Sequence, residues 1–183
     1  MAARRPAAAP FYTGRPMKIQ LLSDLHLEKA SWYAALGQPL PPYDSHDTLD
    51  RLATLADRLH AEAIWCLGDS FHDRAAAERI APAVAERLLR QTGSVQLTWI
   101  AGNHDGLTGG AWGGEIADEH VVDGIVFRHQ SLVHETRPEV SGHFHPKLRL
   151  NIRGRSVSRP CFAGDDRRLI LPAFGSLTGG LAA

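Results

Sequence analysis

Apolar residues recur along the chain with two different periods, and their order predicts an α/β fold. Three short apolar runs each end in polar residues, as buried parallel strands do. The runs are 17–24, 63–69 and 95–105. Between them, 48–61 carries leucines three and four residues apart, which predicts an amphipathic helix. The stretch 74–93 is also helical in pattern, and Pro82 either breaks it or begins a second helix.

The second half of the chain is divided into short strands by turn residues. Asp123-Gly124 is a hairpin dipeptide and splits 120–129 into two strands. Gly154 divides the alternating stretch 147–162, and 167–175 predicts a last strand. The pattern therefore predicts parallel strands with crossover helices first and antiparallel strands afterwards.

Composition narrows the class of protein without pointing to a partner. The chain has 183 residues, 44% of them apolar and 22% charged, and its formal net charge is zero. These values are typical of one globular domain, and any anionic partner must be attracted locally. Two cysteines without a C-x-x-C exclude a thiolate zinc framework. No apolar run approaches the roughly 18 residues of a membrane span, so we expect a cytoplasmic protein without a membrane partner.

The N-terminal stretch differs from the rest of the chain. Residues 1–16 are rich in alanine, proline and arginine and contain no apolar core of a signal peptide. We expect a flexible tail over 1–16, followed by a single domain over 17–183.

Candidate ligands follow the predicted strands. The first three strands run into Ser-Asp-Leu-His, Gly-Asp and Gly-Asn-His-Asp, and a later strand ends at His129. A further loop holds Ser-Gly-His-Phe-His-Pro at 141–146. Each piece taken singly is compatible with turn or capping chemistry. The ordered set is far more specific, and carboxylate, amide and imidazole donors suit Mn²⁺, Fe or Zn²⁺.

The ordered set resembles the signature of the calcineurin-like metallophosphoesterases. The resemblance implies a four-layered α/β/β/α sandwich, with two mixed sheets face to face and helices outside. It also implies two divalent metal ions held by seven side chains. By resemblance, the first ion is bound by Asp24, His26 and His145, the second by Asn103, His129 and His143, and Asp69 bridges both. The resemblance assigns His104 as leaving-group acid or charge stabiliser, oriented by Asp105.

Two assignments within this set have competitors. His129 ends an apolar run, as a rigidly held ligand should, whereas His134 lies in a polar loop and His120 begins a strand. His129 is therefore favoured. His72 follows the Gly-Asp motif closely, and either contacts substrate or has a structural role.

Several stretches outside the metal motifs resemble one branch of this superfamily. They include DLHLEKAS, LPPYD, GDSFHDR, SGHFHPKLRL and RGRSVSRPCF. The branch is that of the DNA-ligase-associated metallophosphoesterases of the PdeM type, which are DNA-damage-response endonucleases. The resemblance implies a phosphodiesterase that processes DNA in repair, with Mn²⁺ as the favoured metal. It also implies a DNA ligase, a helicase and an exonuclease as partners.

A basic run follows the metal histidines. Five basic residues and no acid lie between Lys147 and Arg159, and Arg153 and Arg155 are the candidates for binding DNA phosphates. The alternative is solubilising charge on an exposed sheet face. Two other functions stay open: hydrolysis of small nucleotides or phosphoproteins at the same site, and a non-catalytic interaction module. The module is disfavoured because every predicted ligand is present.

Overall fold

The computed structural model describes residues 17–105 and 112–179, which form eleven strands and four helices. The strands are β1 (Ile19–Leu22), β2 (Ala63–Leu67), β3 (Gln96–Ile100), β4 (Glu115–Ala117), β5 (Glu119–Val122), β6 (Ile125–Arg128), β7 (Glu139–Ser141), β8 (Lys147–Ile152), β9 (Arg155–Pro160), β10 (Ala163–Gly164) and β11 (Arg168–Ile170). The helices are α1 (Lys29–Ala35), α2 (Asp44–Leu59), α3 (Ala76–Arg79) and α4 (Pro82–Ser94).

The first sheet is parallel throughout, in the order β1-β2-β3-β4. Alternate residues of a strand point to opposite faces, and both faces of this sheet are covered. On one face, Ile64 and Cys66 of β2 pack in the core formed with α2 and α4. On the other face, Trp65 and Leu67 pack against the second sheet. Burial on both sides explains why β2 is apolar at every position.

The helices fit the predicted leucine stripe and the predicted effect of proline. Leu49 and Leu52 are fully buried on the inner side of α2. Pro82 is the first residue of α4 and follows the extended residue Ala81, so it begins a second helix. Proline suits this position because the first helical amide has no partner within the helix.

The second sheet is mixed, in the order β10-β11-β7-β6-β5. The predicted hairpin at Asp123-Gly124 is confirmed as the antiparallel pair β5–β6. On the side away from the first sheet, buried Arg128 lies 2.9 Å from Glu135 and 3.0 Å from Glu119. The predicted class, two packed sheets with helices outside, is confirmed. Helices α2 and α4 pack on the first sheet, and over 112–179 no helix is present.

The remaining two strands, β8 and β9, form a separate antiparallel hairpin. It turns at Arg153-Gly154, as the glycine predicted. The register places Leu148, Leu150 and Ile152 on one face, together with Arg155 and Arg159. Nearly every residue of the hairpin is exposed. The hairpin therefore presents an apolar strip edged by arginines to solvent.

Some elements differ from the prediction or lie beyond it. Helix α1 was not predicted, because its seven residues carry no apolar period. Strands β4 and β7 were missed because each has three residues. The predicted tail at 1–16 lies outside the described residues, as does 106–111 of the glycine-rich loop. In the described part of the chain, no helix is both long and apolar enough to span a membrane.

Candidate metal centre

The predicted ligands come together where parallel strands of both sheets end close to one another. Ligand-type residues follow the ends of five strands: Asp24 after β1, Asp69 after β2, Asn103 after β3, His129 after β6 and His143 after β7. Beyond β1 and β2 the backbones remain paired, since the amide of Asp24 donates to the carbonyl of Gly68 over 3.0 Å. The amide of His26 likewise donates to the carbonyl of Asp69 over 2.9 Å. The loops that carry these ligands are thus held by main-chain hydrogen bonds.

The first cluster consists of Asp24, His26 and His145, with ligand atoms within 4.8 Å of one another. The Nε2 of His145 lies 3.2 Å from Oδ1 of Asp24. The Nδ1 of His145 is 3.1 Å from the carbonyl oxygen of Gly179, so Nδ1–H donates to that carbonyl. This bond leaves Nε2 as the ring nitrogen that faces the carboxylate and that would bind a metal ion.

The second cluster consists of Asp69, His129 and His143, with Asn103 beside them. The Nδ1 of His129 donates to the carbonyl of Leu67 over 3.0 Å. Its Nε2 lies 2.8 Å from Oδ1 of Asn103 and 3.5 Å from Oδ2 of Asp69. Burial opposes protonation of this ring, but the contact with Asp69 raises the pKa of His129 above its ordinary value. Without a metal, Nε2 therefore can carry a proton toward these oxygens, and a bound cation would take the place of that proton.

Asp69 belongs to the second cluster and also faces His26 of the first. Its Oδ2 is 3.9 Å from Nε2 of His26 and 3.5 Å from Nε2 of His129. Burial opposes ionisation of this carboxyl, but the contact with His129 and the amide of His104 outweigh it and lower the pKa to about 2. Asp69 is therefore an anion in the position that a bridging ligand needs.

Three motif glycines permit the close approach of the loops. A Cβ on Gly68 would overlap the ring of His129, and a Cβ on Gly102 would overlap the backbone and carboxylate of Asp69. At Gly142, a Cβ would strike the loop that follows β1. Each glycine thus leaves room for a ligand that belongs to another strand end.

Five of the predicted ligands have left-handed backbone conformations, which are rare for residues with a side chain. The φ angles are 55° at Asp24, 45° at His26, 49° at Asp69, 71° at His143 and 47° at His145. Such conformations cost about 1–3 kcal/mol each and cluster at functional sites. Their concentration where strands of both sheets end indicates that this region is shaped for ligand binding at some expense of stability.

Comparison with known proteins identifies the family. Residues 17–154 match the family model of the calcineurin-like phosphoesterases. The chain belongs to this family. The structure is similar to the crystal structure of Pseudomonas putida nuclease MPE, with a TM-score of 0.70 and 31% identity over 90% of this chain and 78% of that one. It is also similar to Yfce, a phosphoesterase from E. coli, with a TM-score of 0.50 and 16% identity over 90% and 84% of the two chains, which shows the fold alone. No match was found among curated proteins.

Membership of the phosphoesterase family makes this chain a metal-dependent hydrolase, and the donor set fits divalent ions. The Nε2 of His26 is buried without a hydrogen-bond partner among the described residues. Burial also lowers the pKa of His26 to about 4, so the ring is neutral and able to bind a metal. The individual ligand assignments remain predictions, although all seven side chains lie at the two clusters.

In this phosphoesterase, His104 lies on the exposed rim of the site. Its ring centroid is 5.7 Å from that of His26 and 6.0 Å from that of His72. The amide of His104 donates to Oδ1 of Asp69 over 2.9 Å. The side chain is therefore positioned by a predicted ligand while its ring faces solvent.

Asp105 holds two loops together. One carboxylate oxygen accepts from the amide of Phe71 at 3.0 Å and the other from the amide of Gly102 at 2.8 Å. Burial raises the pKa of Asp105 to about 6, although these hydrogen bonds act against the rise. The bonds fix the loop that carries His104, and orientation of the His104 ring by Asp105 stays a prediction.

The competing histidines and the basic run lie elsewhere. His120 is buried and stacks on Trp65 at 5.0 Å between ring centroids, so it belongs to the core between the sheets. His134 is exposed in a loop. Of the three candidates, His129 is the one in the cluster. Arg153 and Arg155 lie on the β8–β9 hairpin, outside both clusters.

The sequence did not single out one neighbour of the site. Trp32, on the unpredicted helix α1, lies with its ring centroid 4.9 Å from that of His72. His72 in turn contacts His26, with the two Nδ1 atoms 3.4 Å apart. The order of residues held one signal for Trp32. Lys29 and Trp32 are three residues apart shortly after His26, so on a helix they would share a face beside that predicted ligand.

Proposed function

We propose that this phosphoesterase is a nuclease that cleaves phosphodiester bonds in DNA with two divalent metal ions, Mn²⁺ being the favoured ion. The observation that carries the proposal is the pair of clusters, Asp24–His26–His145 and Asp69–His129–His143. Asp69 approaches a histidine of each cluster, His26 and His129. A pair of divalent ions supplies Lewis acidity toward phosphoryl oxygens and lowers the pKa of water near neutrality. No thiol or hydroxyl nucleophile is then required.

The chain contributes a proton donor beside this site. The ring of His104 is exposed, and its centroid lies 5.7 Å from that of His26. A protonated imidazole there would donate to the leaving oxygen or offset its charge. Asp69 and Asp105 accept hydrogen bonds from backbone amides of the loop that carries His104 and so position that loop.

The β8–β9 hairpin supports a polyanionic substrate. Its five basic residues and absence of acids contrast with a net charge of zero for the whole chain. The hairpin begins two residues after His145 and is exposed on both faces. Phosphates on either side of the scissile bond would meet this positive element. The name of the similar P. putida protein, a nuclease, agrees with such a substrate.

The proposal also includes a biological role, protein partners and a cellular location. A repair role, cooperation with a DNA ligase, a helicase and an exonuclease, and action in the cytoplasm are proposed from the sequence resemblance. The alternative is a phosphodiesterase or phosphatase for small nucleotides or phosphoproteins, and a comparison of substrates distinguishes it.

The test is an activity panel with the protein reconstituted with Mn²⁺. Bis-p-nitrophenyl phosphate and p-nitrophenyl phosphate compare diester with monoester hydrolysis, and defined single- and double-stranded DNA test the polymer. We expect the diester to exceed the monoester and at least one DNA to be cut. An Asp69→Asn variant purified in parallel controls for contaminating nucleases. Hydrolysis of small esters without DNA cleavage would reject the nuclease and favour the alternative.

A further inference from the structure

A line of rings leads from the metal clusters to the surface. The ring centroid of His72 is 5.4 Å from that of His26, 6.0 Å from that of His104 and 4.9 Å from that of Trp32. Tyr33 follows, with its ring 5.0 Å from Trp32. Trp32 thus contacts His72, and His72 lies next to both His26, a predicted ligand, and His104.

The indole of Trp32 is available for stacking. It is partly exposed, and the rings of His72 and Tyr33 meet it at 79° and 80°. Among the ring contacts of the described residues, none is a parallel stack on Trp32. The plane of a partly exposed indole offers a large apolar surface to a flat aromatic ligand.

A cation lies on the same side of α1. Lys29 precedes Trp32 by three residues, so the two side chains share one helix face. Lys29 is partly exposed, and α1, which carries it, reaches the site through the contact of Trp32 with His72. A planar surface and a positive charge therefore stand together next to the site of phosphate chemistry.

We propose that Trp32 is a stacking platform for the nucleobase next to the scissile phosphate, with Lys29 beside it for the adjoining phosphate. The inference rests on the proposed function, since it gives the nuclease a subsite for one nucleoside. A metal centre recognises phosphate in any ester, and the clusters contain no group that distinguishes a nucleotide from another diester. Trp32 supplies that distinction, because a base gains stacking energy that an alkyl ester lacks.

The test compares two oligomers that differ only in their bases. One is a short oligothymidylate, and the other has the same length and phosphates but abasic tetrahydrofuran residues. Loss of one base–aromatic stack corresponds to a loss of about 5- to 150-fold in binding. We therefore expect Trp32→Ala to lower kcat/KM for oligothymidylate about tenfold and to leave the abasic oligomer within about twofold.

Two further variants separate stacking from packing. Trp32→Phe keeps an aromatic plane and should retain most of the preference for bases, whereas Trp32→Leu keeps apolar bulk without the plane and should lose it. Thermal unfolding monitors the fold of each variant. Equal losses on both oligomers, or no loss on either, would overturn the platform. If the wild-type protein cleaves bis-p-nitrophenyl phosphate but neither oligomer, the platform is overturned, and the nuclease proposal falls as well only if double-stranded DNA is also left intact.

Discussion

The imidazole of His129 lies directly over the Cα of Gly68, so that residue 68 has no room for any side chain. This contact brings a ligand of the second sheet onto the end of β2, where Nδ1 of His129 reaches the carbonyl of Leu67 at 3.0 Å. The position of His129 at the candidate metal centre therefore requires glycine at residue 68.

Gly68→Ala should displace His129 and weaken metal binding. Gly124 is the matched control, since its φ of +80° is close to the +82° of Gly68 while no atom lies within 4 Å of its Cβ position. Both substitutions carry backbone strain, but only the first overpacks, which typically costs about 1–3 kcal/mol. Calorimetric titration with Mn²⁺ and urea unfolding measure the two effects. Equal losses in both variants would show that backbone strain, not the His129 contact, matters.

His129→Ala should remove one of two metal ions, whereas His134→Ala should remove none. The first histidine lies in a cluster and the second is exposed in a loop. Metal content per chain after Mn²⁺ loading and desalting, measured by mass spectrometry, distinguishes them. Loss of an ion from the His134 variant would contradict the ligand assignment.

The sequence allowed the site to be predicted further than the fold around it. Asp24, Asp69 and Asn103 each follow an apolar run, and the rule that parallel strands end at one edge is enough to bring them together. His129 could be preferred over His134 because it ends a strand. Local order in the chain thus predicted which side chains meet at the two clusters.

Other features depend on contacts between distant segments and were beyond prediction. The exposed apolar face of β8–β9 follows from the strand register, and Trp32 approaches His72 only through packing of α1. Helix α1 shows no apolar period because Ala30 is its one buried residue. The motif glycines were visible, but the atoms that exclude a Cβ come from other strand ends.

His104→Ala should retain both metals and lose activity by about 10²–10⁴-fold, the usual contribution of a general acid. The substitution keeps the amide that donates to Asp69 at 2.9 Å, so the bridging position should stay intact. Metal content and kcat for bis-p-nitrophenyl phosphate are measured on the same preparation. A parallel fall in metal content would mean that His104 is a ligand.

Asp105 should make stability depend on pH in a defined direction. Its folded-state pKa of about 6 lies above the ordinary 3.8, so the folded chain binds a proton between about pH 6 and 4 that the unfolded chain does not. This carboxyl therefore adds stability as pH falls through that window. His26 and His72, whose pKa values are lowered to about 4, act in the opposite direction.

The comparison with Asp105→Asn isolates this carboxyl, because the histidines remain. Urea unfolding without metal should show the wild-type protein gaining stability relative to Asp105→Asn from about pH 7 to pH 5. A difference that is constant over this range would contradict the raised pKa.

The last prediction concerns the β8–β9 hairpin. It tests whether the hairpin binds the DNA chain, as distinct from taking part in hydrolysis of the phosphodiester bond. Arg153→Ala with Arg155→Ala should weaken DNA turnover and leave a small diester nearly unchanged, because the hairpin lies outside both clusters. The control is Arg58→Ala with Arg90→Ala, which removes the same charge from two exposed helix positions. For each DNA phosphate that an arginine no longer neutralises, the slope of log affinity against log salt should fall by about 0.7–0.9. Weaker turnover of both substrates would assign the arginines to the fold or the scissile phosphate. An equal effect on DNA in the control would mean that total charge, and not the hairpin, attracts DNA.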